Sequence, residues 1–225
     1  ADGTATITAT SDSKTATATV TINRWASISA TGGSCGLTES GVAYCWGSNS
    51  NGQIGNGTTS GGSIPTLVSG SYTWQSIGSG NMSISCGATT SNAGYCWGRN
   101  NGGRLGIGNV FGDKLVPTLL DGGHAWKSIS RSGDHVCGLT TDDDAYCWGS
   151  GSGVNGTSGT HRSPVLISGS HDWESIAAGG NHTCAVTTAG VGYCWGNSVA
   201  TGGSGDTSTP VSGNHTWASI STGWL

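Results

Sequence analysis

The sequence predicts an all-β fold of β-propeller-type repeats, four full blades and the start of a fifth, behind an N-terminal β-hairpin segment. Three observations carry this. The tetrapeptide Tyr-Cys-Trp-Gly recurs four times, beginning at Tyr44, Tyr95, Tyr146 and Tyr193, each time with a second cysteine ten residues before its own. A tryptophan followed by a Ser-Ile pair opens each unit, at Trp25, Trp74, Trp126, Trp173 and Trp217, at intervals of 49, 52, 47 and 44 residues. Composition agrees: 42 of 225 residues are glycine, only 9% are charged, and Met and Phe occur once each, which argues against a helical bundle or an ordinary α/β enzyme. A period of this length marks units that cannot bury an apolar face alone and must stack on neighbours.

Residues 1–23 stand apart. Thr4–Thr10 and Thr15–Ile22 alternate threonine with small apolar residues around Ser11–Lys14, a two-stranded pattern that cannot hold together alone in water. The repeats then divide as 24–73, 74–125, 126–172 and 173–216, with 217–225 as a partial fifth unit. In the first, Trp25-Ala-Ser-Ile-Ser reads as an alternating, half-buried strand. Ser34–Thr38 and Val42–Trp46 flank Glu39-Ser40-Gly41, a short Gly-containing connection that signals a hairpin. Ser48–Gly57 is rich in Asn and Gly, residues that tolerate positive φ. Ile64–Val68 is a short strand whose Pro65 suits an edge or first position. Three or four short strands in about fifty residues without a helix are the arithmetic of a propeller blade.

The succession Cys35-Gly-Leu-Thr38, Tyr44-Cys-Trp-Gly47, Asn49–Gly57 and Pro65-Thr-Leu-Val68 resembles the repeat of the regulator of chromosome condensation family. The resemblance spans residues 24–225 and weakens at Gly149–Thr157 and Asn197–Gly203. It implies a β-propeller, in that family usually of seven blades, and a surface for protein partners; one secreted relative of this propeller class inhibits β-lactamases. The first 23 residues resemble the closing hairpin of a group 2 bacterial immunoglobulin-like domain.

In a hairpin centred on residue 40, positions 35 and 45 lie opposite each other on one face, with Cβ atoms close enough for a disulfide to draw in. The same spacing pairs Cys35 with Cys45, Cys86 with Cys96, Cys137 with Cys147 and Cys184 with Cys194, against the alternative of free, buried small hydrophobes. Bridges imply an oxidising compartment, and an extracellular or cell-surface protein is expected. Asn56, Asn81, Asn155, Asn181 and Asn214 begin Asn-x-Ser/Thr sequons, available for glycosylation where the source performs it.

The tryptophans at both repeated positions are assigned to the core, because a repeated position is usually packing; Trp224 lies outside that pattern. His135 and His182, each two residues before a cysteine, read as satisfied strand-end histidines rather than metal ligands, and Asp142-Asp143-Asp144 as solvated turn charge lacking the pattern of a calcium loop. No nucleophile elbow, zinc-protease or Walker motif occurs, so no catalytic residue, metal or cofactor is assigned and a non-enzyme is expected. Net charge is −4 with eight scattered Lys and Arg, which disfavours nucleic acid. No apolar run reaches the roughly 18 residues of a membrane helix. The expectation is an extracellular structural or interaction protein, a fibre subunit joined through its terminal strands. The alternative is a secreted ligand or inhibitor of one partner protein, and a glycan ligand is the weakest reading.

Overall fold

The computed structural model describes residues 3–11, 14–22, 24–30, 33–80, 83–131, 133–151, 154, 159–167, 169, 171–196, 210–211 and 215–223. Strands β1 (Gly3–Ser11) and β2 (Lys14–Ile22) form a two-stranded antiparallel sheet in unbroken register from Gly3↔Ile22 to Ser11↔Lys14. The repeats follow as separate antiparallel meanders. Blade one comprises β3 (Trp25–Ala30), β4 (Ser34–Thr38), β5 (Ala43–Gly47) and β6 (Gly62–Leu67). Blade two is β7 (Trp74–Gly80), β8 (Ile84–Thr89), β9 (Gly94–Gly98) and β10 (Lys114–Leu119). Blade three is β11 (Trp126–Arg131), β12 (His135–Thr140), β13 (Ala145–Ser150) and β14 (Thr160–Leu166). Blade four has β15 (Trp173–Ala178), β16 (His182–Thr187) and β17 (Gly192–Gly196), with a Tyr193↔Pro210 bridge where its fourth strand would lie.

The first strand of each blade departs from simple alternation. Its register shifts between Trp25 and Ser27, and again between Trp74 and Ser76, Trp126 and Ser128, and Trp173 and Ser175. Residues three apart on a regular strand face opposite sides; one bulged residue turns tryptophan and isoleucine to the same side. Both then meet the preceding blade. Trp74, Ile77 and Trp97 of blade two pack on Cys35, Leu37, Ile54 and Val68 of blade one. Trp126, Ile129 and Trp148 pack likewise on Cys86, Leu105 and Leu120, and Trp173 and Trp195 on Leu139, Val154 and Ile167. The core is therefore not one body but a series of seams between blades.

Each blade is stapled within itself, between its second and third strands. Cys35, Cys86, Cys137 and Cys184 pair in register with Cys45, Cys96, Cys147 and Cys194, and each pair is disulfide-bonded with Cα atoms 4.0–4.1 Å apart. That spacing belongs to the closer, non-hydrogen-bonded class of antiparallel pair. Replacing both Cys86 and Cys96 by alanine is expected to destabilise the chain by roughly 2–3 kcal/mol, the chain-entropy value for a closed loop of about eleven residues. Urea unfolding of the variant against the parent measures it, and an unchanged midpoint would contradict the assignment.

Candidate protein-interaction surface

Two backbone devices join one blade to the next. The tight turn between the second and third strands places one residue at left-handed φ: Gly41 (80°), Asn92 (63°), Asp143 (62°) and Gly190 (79°). Glycine and the short polar residues occupy this region at least cost. The carbonyl of each accepts a hydrogen bond from the backbone N–H of the tryptophan opening the next unit, Trp74, Trp126, Trp173 and Trp217, at 2.7–2.9 Å.

The second device is the loop after the third strand. Asn49 is buried in it and donates to the Thr58 and Ser60 carbonyls, while its Oδ1 accepts from Ile54 N–H. The loop so held lies over the next blade: the Gln53 carbonyl accepts from Trp97 Nε1 at 3.0 Å, and Gly57 N–H donates to Leu115. Blades two and three repeat the arrangement, with the Arg104 carbonyl on Trp148 Nε1 and Gly108 on Arg162, and Val154 receives Trp195 Nε1. The close approach requires glycine at Gly55 and Gly106, where a Cβ would stand 2.5 Å from the indole nitrogens of Trp97 and Trp148.

Blade one has no neighbour on its leading side among the described residues. Trp25 is 40% exposed, where its equivalents Trp74, Trp126 and Trp173 are 3%, 1% and 1%. Ile28 is 57% exposed against 8% for Ile77 and 7% for Ile129. Trp46 is half-buried and leans on Trp25, whereas Trp97, Trp148 and Trp195 are sealed. The expectation that these tryptophans all belong to the core therefore fails for Trp25 and Trp46, which no described residue covers on the leading side, and also for Trp217, which rests on blade four outside any strand and stays exposed. Residues 217–221, Trp-Ala-Ser-Ile-Ser, are identical to residues 25–29. They lie against the trailing side of blade four, Trp217 beside Gly192, without forming a strand. Trp224 lies outside the described residues.

The rim offers a second apolar feature. Leu67, Leu119 and Leu166 occupy one position of the outer strand in three blades and are all exposed. A pocket of about 250 Å³ opens beside Leu119, lined by Asn92, Leu120, His124 and Trp126. His124, in that lining, also lies against Tyr146 at a tilt, centroids 4.1 Å apart.

The other singled-out residues have structural partners. His135 Nε2 and the Thr183 hydroxyl hydrogen-bond at 2.8 Å across the third seam. Burial, with nearby His182, lowers the His135 pKa to about 4. Burial also lowers that of His182, whose Nδ1 finds no partner, so it is not a satisfied histidine in the way His135 is. Asp143 pairs with Lys127 at 3.0 Å. Arg104, which carries the loop carbonyl on Trp148, is held by Asp134 at 2.7 Å; burial lowers its pKa against the opposing pull of that carboxylate. Of the sequons, Asn56 Oδ1 accepts from Thr58 N–H and hydroxyl, and Asn181 is exposed. Asn81, Asn155 and Asn214 lie outside the described residues.

Comparison with known proteins is consistent with this geometry. Sequence profiles described as the regulator of chromosome condensation (RCC1) repeat match residues 40–93 and 95–139, and a second profile of the same description matches 126–156. The human E3 ubiquitin-protein ligase HERC2 is 33% identical over 125 residues, 51% of this chain and 2% of its own length. The human probable E3 ubiquitin-protein ligase HERC4 is 32% identical over 136 residues, 56% of this chain and 12% of its own. The chain thus spans a small part of these curated relatives. Among solved structures, human WBSCR16 superposes with a TM-score of 0.79 at 16% identity, covering 95% of this chain and 59% of that one. Prp20p of Saccharomyces cerevisiae, described with its binding to Gsp1p and histones, gives 0.77 at 20% identity, covering 90% and 54%. At such identities the likeness concerns the fold.

Proposed function

Because the chain belongs to the RCC1-repeat family of β-propeller proteins, we propose that it serves as an extracellular, non-enzymatic interaction scaffold that associates with further copies of itself. The observation carrying this reading is the uncovered leading face of blade one, Trp25, Ile28 and Trp46. The equivalent faces of blades two, three and four are each closed by the trailing side of the preceding repeat, which supplies apolar side chains and a carbonyl for the indole N–H. The occupant that fits is the trailing side of blade four in a second copy. That surface already accepts Trp217–Ser221, whose sequence is that of Trp25–Ser29, so β3 of one copy has the right residues to take the place of that segment in another. Such a contact is head to tail and propagates into a fibre unless it closes into a ring. The four disulfides support an oxidising, extracellular setting.

Analytical ultracentrifugation and electron microscopy test the association. The parent chain is expected to form concentration-dependent assemblies, and Ile28→Asp, at a position already open to water, to shift them toward monomer while leaving the fold intact. Monodisperse single chains at high concentration would sink this reading. A second reading, a secreted ligand or inhibitor of one partner protein, is favoured by the exposed rim leucines. It predicts that Leu119→Asp, and not Ile28→Asp, abolishes partner binding.

A further inference from the structure

Arg131 breaks the repeat. Its counterparts two residues after the first-strand isoleucine are Ala30, Ser79 and Ala178. From the end of β11 its guanidinium crosses β7 at Gly78 and reaches Ser29 on β3. A Cβ at Gly78 would overlap the guanidinium, so the second blade gives way where the third blade's arginine passes over it. The first strands of three consecutive blades meet at this one cation.

Its donors are unevenly used. Nη1 donates to the Ile129 carbonyl at 3.0 Å, and Nη2 makes only a long contact, 3.3 Å, with Ser29 Oγ. Nε is sealed from solvent and has no partner. The ion pairs among the described residues join other groups: Arg24 with Glu39, Arg104 with Asp134, and Lys127 with Asp143 and Glu174. Burial lowers the Arg131 pKa to about 10, and no neighbouring charge contributes to the shift. The group therefore stays cationic at neutral pH without a counter-charge, an arrangement that is costly unless something pairs with it.

We propose that the Nε–Nη2 edge of Arg131, together with the Ser29 hydroxyl, is a binding site for one carboxylate at the convergence of β3, β7 and β11. This edge is the half of the guanidinium fork that grips a carboxylate with two parallel hydrogen bonds, and the serine hydroxyl can donate a third. One cation matches one negative charge; a dianion such as sulfate would bring a second charge that no other cation here meets. The carboxylate is either a free small acid or the side chain of an acidic residue entering from a partner. The site shares Ser29 of β3 with the strand proposed above for self-association, but Ile28 and Trp46 take no part in it, and its readout at Arg131 is separate from the oligomeric state that tests that reading.

The test follows the arginine Nε–H resonances of the ¹⁵N-labelled chain by NMR at constant ionic strength. Sodium acetate replaces sodium chloride in one arm, and a capped Gly-Glu-Gly peptide is titrated in another. One Nε–H, absent from the Arg131→Lys spectrum, is expected to move saturably, with half-saturation on the order of millimolar. The acetate-dependent rise in unfolding temperature is expected to vanish in Arg131→Lys, which keeps the charge and loses the fork. Saturation by acetate alone supports a free small carboxylate, and saturation by both probes supports access for a partner's side chain. Failure of both probes to shift any arginine Nε–H of the parent chain saturably overturns the proposal, as does an undiminished thermal response in Arg131→Lys. The parent-chain titration decides the matter even where the variant does not fold.

Discussion

Trp148→Ala is expected to destabilise the protein by about 3–5 kcal/mol, the range for emptying a large aromatic site in a packed interior. The indole is fully buried in the seam between blades two and three and donates to the Arg104 carbonyl at 3.1 Å. Truncation leaves both a cavity and an orphaned carbonyl, and the neighbouring Arg104–Asp134 pair loses the surface it is built over. Trp46→Ala, the same substitution at the same repeat position, is expected to cost much less, roughly 1–2 kcal/mol, because Trp46 is half-buried and nothing among the described residues bonds its indole. Urea unfolding followed by tryptophan fluorescence measures both. Equal costs would mean that Trp46 is covered in solution, and would count against an open leading face unless the chains had associated under the conditions used.

Acidification from pH 7 to pH 4.5 is expected to remove much of the stability contributed by the seam between blades three and four. His135 is held neutral by burial, its pKa lowered to about 4, whereas an unfolded histidine titrates near 6.5. Between these values the unfolded chain binds a proton that the folded chain refuses. Stability is therefore full above about pH 6.5 and is lost as the pH falls toward 4, by on the order of 3 kcal/mol over the whole interval. His182, shifted in the same direction, adds to the loss. His135→Gln keeps a polar group near the Thr183 hydroxyl without titrating. Its urea midpoint should fall less than that of the parent between pH 7 and pH 4.5, and parallel curves would assign the acid sensitivity elsewhere.

The repeat architecture was legible because the residues that specify it act locally. Cysteines ten apart around a turn-forming triplet oppose each other in any two-stranded antiparallel pair, and Glu39-Ser40-Gly41 supplies the turn with a residue suited to φ of 80°. The bulge after each opening tryptophan was less legible. Trp25-Ala-Ser-Ile-Ser reads as alternation, and only the seam shows that Trp and Ile must share a face. Arg131 did carry a signal, since it stands where the other units have alanine or serine, but its meaning depends on Gly78 and Ser29, 53 and 102 residues away in sequence.

The repeat boundaries, the hairpin register and the spacing that lets the cysteines pair were legible in the sequence, because each depends on spacing within about fifty residues; the order of strands within each sheet came from the structure. Which tryptophans are buried, that Arg131 is buried without a counter-charge and which face is left bare were decided only by the tertiary structure. Burial in this fold belongs to pairs of blades rather than to any one of them: the same repeat position is wet at Trp25 and dry at Trp74, Trp126 and Trp173 according to what is stacked against it.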